Sequence, residues 1–244
     1  MFLHGIGGNR RNWEGQLAHC RASFRAVAID LRGYGDSDGI DDDFEFTGFV
    51  DDVLRVLDTL GARRAHVVGL SMGGLVAQAL YARAPERVAS LALVACRSAA
   101  EPLLAPARRE AFIRERLEPL RRGGPQALAE SLAPSLIGKA ASAQAREQVM
   151  ASLRKVRPDS YFKVMEARMR VPPMLELSSI QVPVLVVGSD EDTVAPLAQM
   201  RELAAAIPAA RLVEINGAGH LINLEKPEEF NRVLSEFLLH VKNA

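Results

Sequence analysis

Short apolar runs alternate along this chain with longer stretches in which apolar residues recur every three or four positions. Phe2-Leu3 reads as the end of a strand opening into the glycine-rich loop His4-Gly5-Ile6-Gly7-Gly8-Asn9, and Trp13 and Leu17 follow at helical spacing. Residues 25–30 form a short apolar strand ended by Asp30, then a turn segment from Leu31 to Ser37 and an acidic loop, Asp41-Asp42-Asp43. Val50, Val53, Leu54, Leu57 and Leu60 predict a helix over 47–60, with Gly61 where a C-terminal cap belongs. Strands are expected at 65–70, 88–95, 182–188 and 211–215. Leu75, Ala79 and Leu80 lie on one helical stripe stopped by Pro85. Leu197, Met200, Leu203 and Ile207 form a second, between Pro196 and Pro208, and a closing helix spans 227–239. Strands alternating with helices imply a mostly parallel sheet with helices on both faces.

The alternation stops at about Arg97. Down to Ser179 only helical stripes occur: Ile113/Leu117/Leu120, Leu128/Leu132/Leu136, Val149/Leu153/Val156 and Phe162/Met165/Met169. Gly123-Gly124-Pro125, Gly138 and Pro158 separate them, and Pro172-Pro173 ends the series. The expected organisation is therefore an α/β core over 1–96 and 180–244 with an inserted all-helical cap over 97–179.

Composition narrows this further. Apolar residues make up 48% of 244, enough for a large core. Lysine plus arginine and aspartate plus glutamate both number 30, so charge gives no argument for nucleic acid or acidic lipid as partner. No apolar run reaches membrane-spanning length and no signal-peptide pattern follows Met1. Cys20 and Cys96 are isolated, reading as reduced buried thiols of a cytoplasmic protein and not as metal ligands.

The chemistry centres on Gly69-Leu70-Ser71-Met72-Gly73. A buried strand turning sharply into a helix lifts a serine hydroxyl onto the tip of the turn, and the flanking glycines let strand end and helix start approach. Serine needs a base, and the base an anion to orient it. Of five histidines, His220 stands in a loop directly after a strand, where such sites assemble. His19 and His240 read as solvated, His66 heads a strand, and His4 reads as a brace for the glycine-rich loop. The acid is expected in the loop Ser189-Asp190-Glu191-Asp192-Thr193, which offers three carboxylates. Two N–H donors must converge on the oxyanion: Met72 N–H and, from the loop after the first strand, Ile6 N–H, with Gly7 as the alternative.

In these residues the chain resembles the α/β-hydrolase fold enzymes of the helical-cap type, which include carboxylesterases, 3-oxoadipate enol-lactonases, C–C bond hydrolases and cofactor-free haloperoxidases. The resemblance is carried by Leu3-His4-Gly5-Ile6-Gly7-Gly8, by residues 30–37 and by Gly69-Leu70-Ser71-Met72-Gly73-Gly74. Pro85-Glu86-Arg87-Val88 and Gly217-Ala218-Gly219-His220 complete it, with Glu225, Pro227 and Phe230 behind. It implies Ser71 as nucleophile, His220 as base and the amides of Ile6 and Met72 as oxyanion donors. In such enzymes the acid stands three residues after the strand-end glycine and four before a proline. Glu191 meets the first count and Asp192 the second; the shorter arm favours Asp192, then Asp190, then Glu191. The family also carries a two-strand hairpin ahead of His-Gly that has no counterpart here. The strand at 25–30 is then expected to have an open edge, which suggests homo-oligomer formation or a truncated product of reduced stability.

The expected activity is hydrolysis of a small-molecule carboxylic ester, with no metal or organic cofactor. Enol-lactone, C–C bond and peracid chemistry share the same triad and would be told apart by a cap arginine reaching the pocket or by a polar pocket floor. A ligand receptor with residual turnover is the rival of another class. Met150, Met165, Met169 and Met174 could line an apolar pocket, although helix packing is the plainer reading of each. The six arginines of 108–122 read mostly as a solvated face.

Overall fold

The computed structural model describes residues 1–41, 43–101, 103–208 and 210–243, so Asp42 of the acidic loop lies outside the described residues. Six strands form one parallel sheet in the order β2-β1-β3-β4-β5-β6. They are β1 (Phe2–Leu3), β2 (Ala28–Ile29), β3 (Ala65–Leu70), β4 (Val88–Val94), β5 (Val184–Ser189) and β6 (Ala210–Ile215). All six residues of β5 are buried, as befits a central strand covered on both faces. The register pairs Leu3 with Gly69, Gly69 with Leu93 and Val94 with Val187. Successive strands therefore end along one rim, and the loops after β1, β3, β5 and β6 all leave from it.

The helices of this core are α1 (Glu14–Cys20), α2 (Gly48–Thr59), α3 (Met72–Arg83), α7 (Leu197–Ala205), α8 (Ile222–Glu225) and α9 (Pro227–Asn243). α3 packs on β3 and β4, α7 on β5 and β6, α1 against α9 and α2 against α3. For α3 the single apolar stripe expected from Leu75, Ala79 and Leu80 is too narrow. Every residue from Met72 to Tyr81 is buried, Gln78 included, because sheet, α2 and the chain after β4 enclose the helix. Gln78 is accommodated by hydrogen bonding: its Nε2 donates to Arg97 O at 2.8 Å and its Oε1 accepts from Ala99 N at 2.8 Å.

Between β4 and β5 lie α4 (Pro106–Leu136), α5 (Ala143–Leu153) and α6 (Pro158–Met169), with no strand among the described residues. α4 is two helical runs meeting at Gly123-Gly124, where Gly124 has φ +67°. Ser142 caps α5 by accepting from Ala145 N at 3.1 Å, and Pro158 opens α6. The apolar stripes of α4 pack against those of α5 and α6, so Leu117, Leu128, Leu132, Val149, Leu153 and Met165 are buried.

The strand expected over 25–30 is reduced to Ala28–Ile29, because its partner β1 is itself two residues long. β2 is the outer strand on that side of the sheet. Cys20 and Cys96 are buried free thiols. Among the described residues no helix is long and apolar enough to cross a membrane.

Candidate active site

Ser71 sits between β3 and α3 with φ +54° and ψ −114°, a conformation that costs a non-glycine residue about 1–3 kcal/mol. The surrounding backbone holds it there. Ser71 N donates to Val94 O at 2.9 Å, while its own carbonyl accepts from Gly74 N at 3.0 Å and Leu75 N at 3.2 Å. The glycines on either side are required by contact: a Cβ on Gly69 would be driven into the Gly73 carbonyl, and one on Gly73 into the Leu3 carbonyl. The start of α3 is thereby wedged against β3 and β1, with Ser71 at the rim.

His220 arrives from the loop after β6. Its Nδ1 lies 2.8 Å from Asp192 Oδ2, and both side chains are almost fully buried, 4% and 0% exposed. The other oxygen of Asp192 accepts from Val194 N at 2.7 Å and Ala195 N at 2.9 Å. A carboxylate fixed by two amides can only accept from the ring, so His220 carries its proton on Nδ1 and leaves Nε2 free as an acceptor. The neighbouring acids are committed elsewhere. Asp190 is exposed and accepts from Gly217 N at 2.7 Å; Glu191 reaches the chain after α4 and accepts from Lys139 N at 2.7 Å.

The loop carrying His220 is fastened to the helical insertion. Glu225, on α8, accepts from Gly219 N at 3.0 Å and from Gly138 N at 2.7 Å, and His220 N donates to Leu136 O at 3.1 Å. Here the two backbones touch: a Cβ on Gly219 would meet Gly138 N at 2.5 Å and Ile137 C at 2.6 Å. From sequence, Gly138 reads as a helix separator and Glu225 as a motif residue without a role; their junction requires three dimensions.

Ile6 follows β1 and borders the same cavity as Ser71 and His220. Among the described hydrogen bonds neither Ile6 N–H nor Met72 N–H donates to a protein acceptor, and Met72 N–H belongs to the first turn of α3, where unpaired amides favour negative charge. Gly7, the alternative donor, has φ +75°. His4 has both ring nitrogens occupied. Nδ1 donates to Gly5 O at 2.8 Å and Nε2 accepts from Leu31 N at 3.0 Å, and burial pushes the imidazole down to about 4. It is a neutral brace between two loops.

The cavity over Ser71 has a volume of about 400 Å³ and a mixed wall. Leu132, Val149, Leu153, Met165 and Met169 supply apolar surface from the insertion, whereas Met150 and Met174 do not border it. Arg97, Arg116 and Arg168 border it as well. Arg122 pairs with Glu118 at 2.5 Å on an exposed face, as a solvated helix surface would. Arg116, from the same run, turns into the cavity wall instead.

A parallel sheet with a strained serine at one strand end, and a buried histidine–carboxylate pair at the same rim, defines a hydrolase architecture. Residues 1–227 match the alpha/beta hydrolase fold family, and the chain belongs to that family. It is 29% identical over 244 residues to a protein of Pseudomonas savastanoi pv. phaseolicola provisionally named carbamate hydrolase RutD, covering 98% of this chain and 92% of that one. A thermophilic esterase from Thermogutta terrifontis, solved with malate bound, superposes with a TM-score of 0.91 at 28% identity, over 98% of this chain and 89% of that one. The enol-lactonase of Burkholderia xenovorans LB400 superposes with a TM-score of 0.83 at 32% identity, over 98% and 90%.

Proposed function

We propose that this hydrolase cleaves carboxylic esters through an acyl-enzyme, with Ser71, His220 and Asp192 as its catalytic triad. His220 Nε2 takes the Ser71 proton as Oγ attacks the acyl carbon. The tetrahedral oxyanion is received by Ile6 N–H and Met72 N–H, each such donor contributing about 3–4 kcal/mol to the transition state. Asp192 holds the ring tautomer and stabilises the imidazolium. His220 then protonates the leaving alcohol, and a water activated by the same nitrogen releases the acid from Ser71. The helices between β4 and β5 act as a cap that shapes the cavity and sets which esters enter.

The observation that carries this reading is the buried 2.8 Å contact between His220 Nδ1 and Asp192 Oδ2, at the rim where Ser71 is held in a strained turn. Neighbours that include an esterase and an enol-lactonase support acyl transfer as the chemistry of this site. The test is a series of 4-nitrophenyl esters of increasing acyl length. Many turnovers per molecule with a chain-length optimum, abolished by Ser71→Ala, are expected. A stoichiometric burst followed by nothing would overturn the enzymatic reading in favour of a receptor.

A further inference from the structure

The cavity wall contains more positive charge than the protein itself neutralises. Arg97, from the chain after β4, pairs with Glu101 at 2.6 Å. For Arg116 of α4 and Arg168 of α6, no carboxylate lies within ion-pair distance among the described residues. Arg168 Nε is buried without a hydrogen-bond partner, and its Nη1 has only the thioether of Met169, a weak acceptor, at 3.5 Å. Buried guanidinium nitrogens without acceptors are costly, and three guanidiniums facing one cavity repel one another. Burial, and then the charges of Arg97 and Arg116, pull Arg168 down to about 10, so it remains protonated at neutral pH and keeps its demand for an anion. Nearby, the Tyr161 hydroxyl is buried and has no acceptor among the described hydrogen bonds.

We propose that the part of the cavity walled by Arg97, Arg116 and Arg168 receives a carboxylate belonging to the substrate, so that the preferred ester carries a second, ionised carboxyl group. This rests on the ester-hydrolase reading for its chemistry, though not for the binding of the anion. Planar guanidinium forks match a carboxylate in geometry, and two uncompensated charges match one or two anionic oxygens. The three arginines come from positions 97, 116 and 168, which is why no local run of sequence announces them.

Two matched substrate pairs test the assignment. On the acyl side, the 4-nitrophenyl monoester of glutaric acid is compared with that of glutaramic acid, which replaces carboxylate by amide at nearly equal shape. On the alcohol side, 4-acetoxybutanoate is compared with 4-acetoxybutanamide. In at least one pair the charged member is expected to have a kcat/KM roughly 10- to 100-fold higher, the range of one charge-assisted hydrogen bond. Arg168→Met should bring that ratio to within about threefold of one, with Arg168→Lys between. Arg116→Met is read in its place should the first variant not fold. Wild-type turnover of both pairs with ratios near one, or a ratio that survives Arg168→Met and Arg116→Met, would overturn the proposal and leave the hydrolase reading standing. If no ester is turned over, that reading has failed and glutarate binding decides: a rise in melting temperature with glutarate, lost in Arg168→Met, sustains the anion site. No rise would remove it. Stronger protection by inorganic phosphate than by glutarate at equal ionic strength would also overturn the choice of carboxylate.

Discussion

Replacing Asp192 by asparagine tests the site through a single proton. Asp192 Oδ1 is held by two amides, Val194 N at 2.7 Å and Ala195 N at 2.9 Å. An asparagine at this position must turn its oxygen toward those two donors, since the opposite orientation would set N–H against N–H twice. Its NH2 then faces His220 Nδ1, which can no longer donate and must accept. The ring proton moves to Nε2, and Nε2 loses the lone pair needed to take the Ser71 proton. The substitution thus keeps shape, burial and both backbone hydrogen bonds while removing the base. A wrong-tautomer triad of this kind loses about 10⁴ in kcat, equivalent to roughly 5 kcal/mol of barrier at 1.36 kcal/mol per decade. KM should move by less than about threefold, because nothing that touches the bound ester has changed. The assay is steady-state turnover of a 4-nitrophenyl ester at pH 7.5, with unaltered urea unfolding as the control for folding. Asp190→Asn, at an exposed carboxylate that among the described residues accepts only from Gly217 N, should stay within about threefold of wild type. Near-normal turnover in Asp192→Asn, or an equal loss in Asp190→Asn, would refute the reasoning.

Glu225→Gln replaces a carboxylate shared by Gly138 N and Gly219 N with an amide, and should lower stability by about 1–3 kcal/mol in urea while lowering kcat, because the His220 loop loses its tie to the cap. Gly69→Ala should cost more than about 2 kcal/mol or prevent soluble expression, since its methyl group meets backbone that cannot give way. Acid sensitivity follows from His4: burial lowers it from 6.5 to about 4, so between these values the unfolded chain binds the extra proton and stability falls as pH falls. The loss is roughly 3 kcal/mol by pH 4 at 1.36 kcal/mol per pH unit, and His66, lowered mainly by burial, acts in the same direction. Urea midpoints across pH 4–7 for wild type and His4→Asn check this; an equally steep decline in the variant would assign the acid sensitivity elsewhere.

Much of the architecture was legible because the relevant signals are local. Alternating strand and helix patterns predict the parallel sheet, and Gly123-Gly124-Pro125 marks the position where α4 breaks. Ser71 is marked in the sequence by its two flanking glycines, and His220 by its place after the last strand. Other features depend on which groups face one another. Spacing to Pro196 favours Asp192 over Asp190 and Glu191, but all three fit a loop of that length; burial and two backbone amides set Asp192 apart in the structure. The stripe predicted on α3 is too narrow because periodicity reports one buried face and this helix has no exposed one over its first ten residues. The arginine wall was illegible for a related reason. Arg116 sits in a run whose other members have a solvated helix face as their natural environment, and its turn inward depends on how α4 packs against α6.

The nucleophilic role of Ser71 is the claim on which the rest depends, and trapping measures it most directly. Wild-type protein incubated with a fluorophosphonate should gain one phosphonyl group per chain, located by peptide mass spectrometry on the segment containing Ser71. Ser71→Ala should gain none, and His220→Ala should react at least 100-fold more slowly. A phosphonyl group on another residue, or one that persists in Ser71→Ala, would contradict the account.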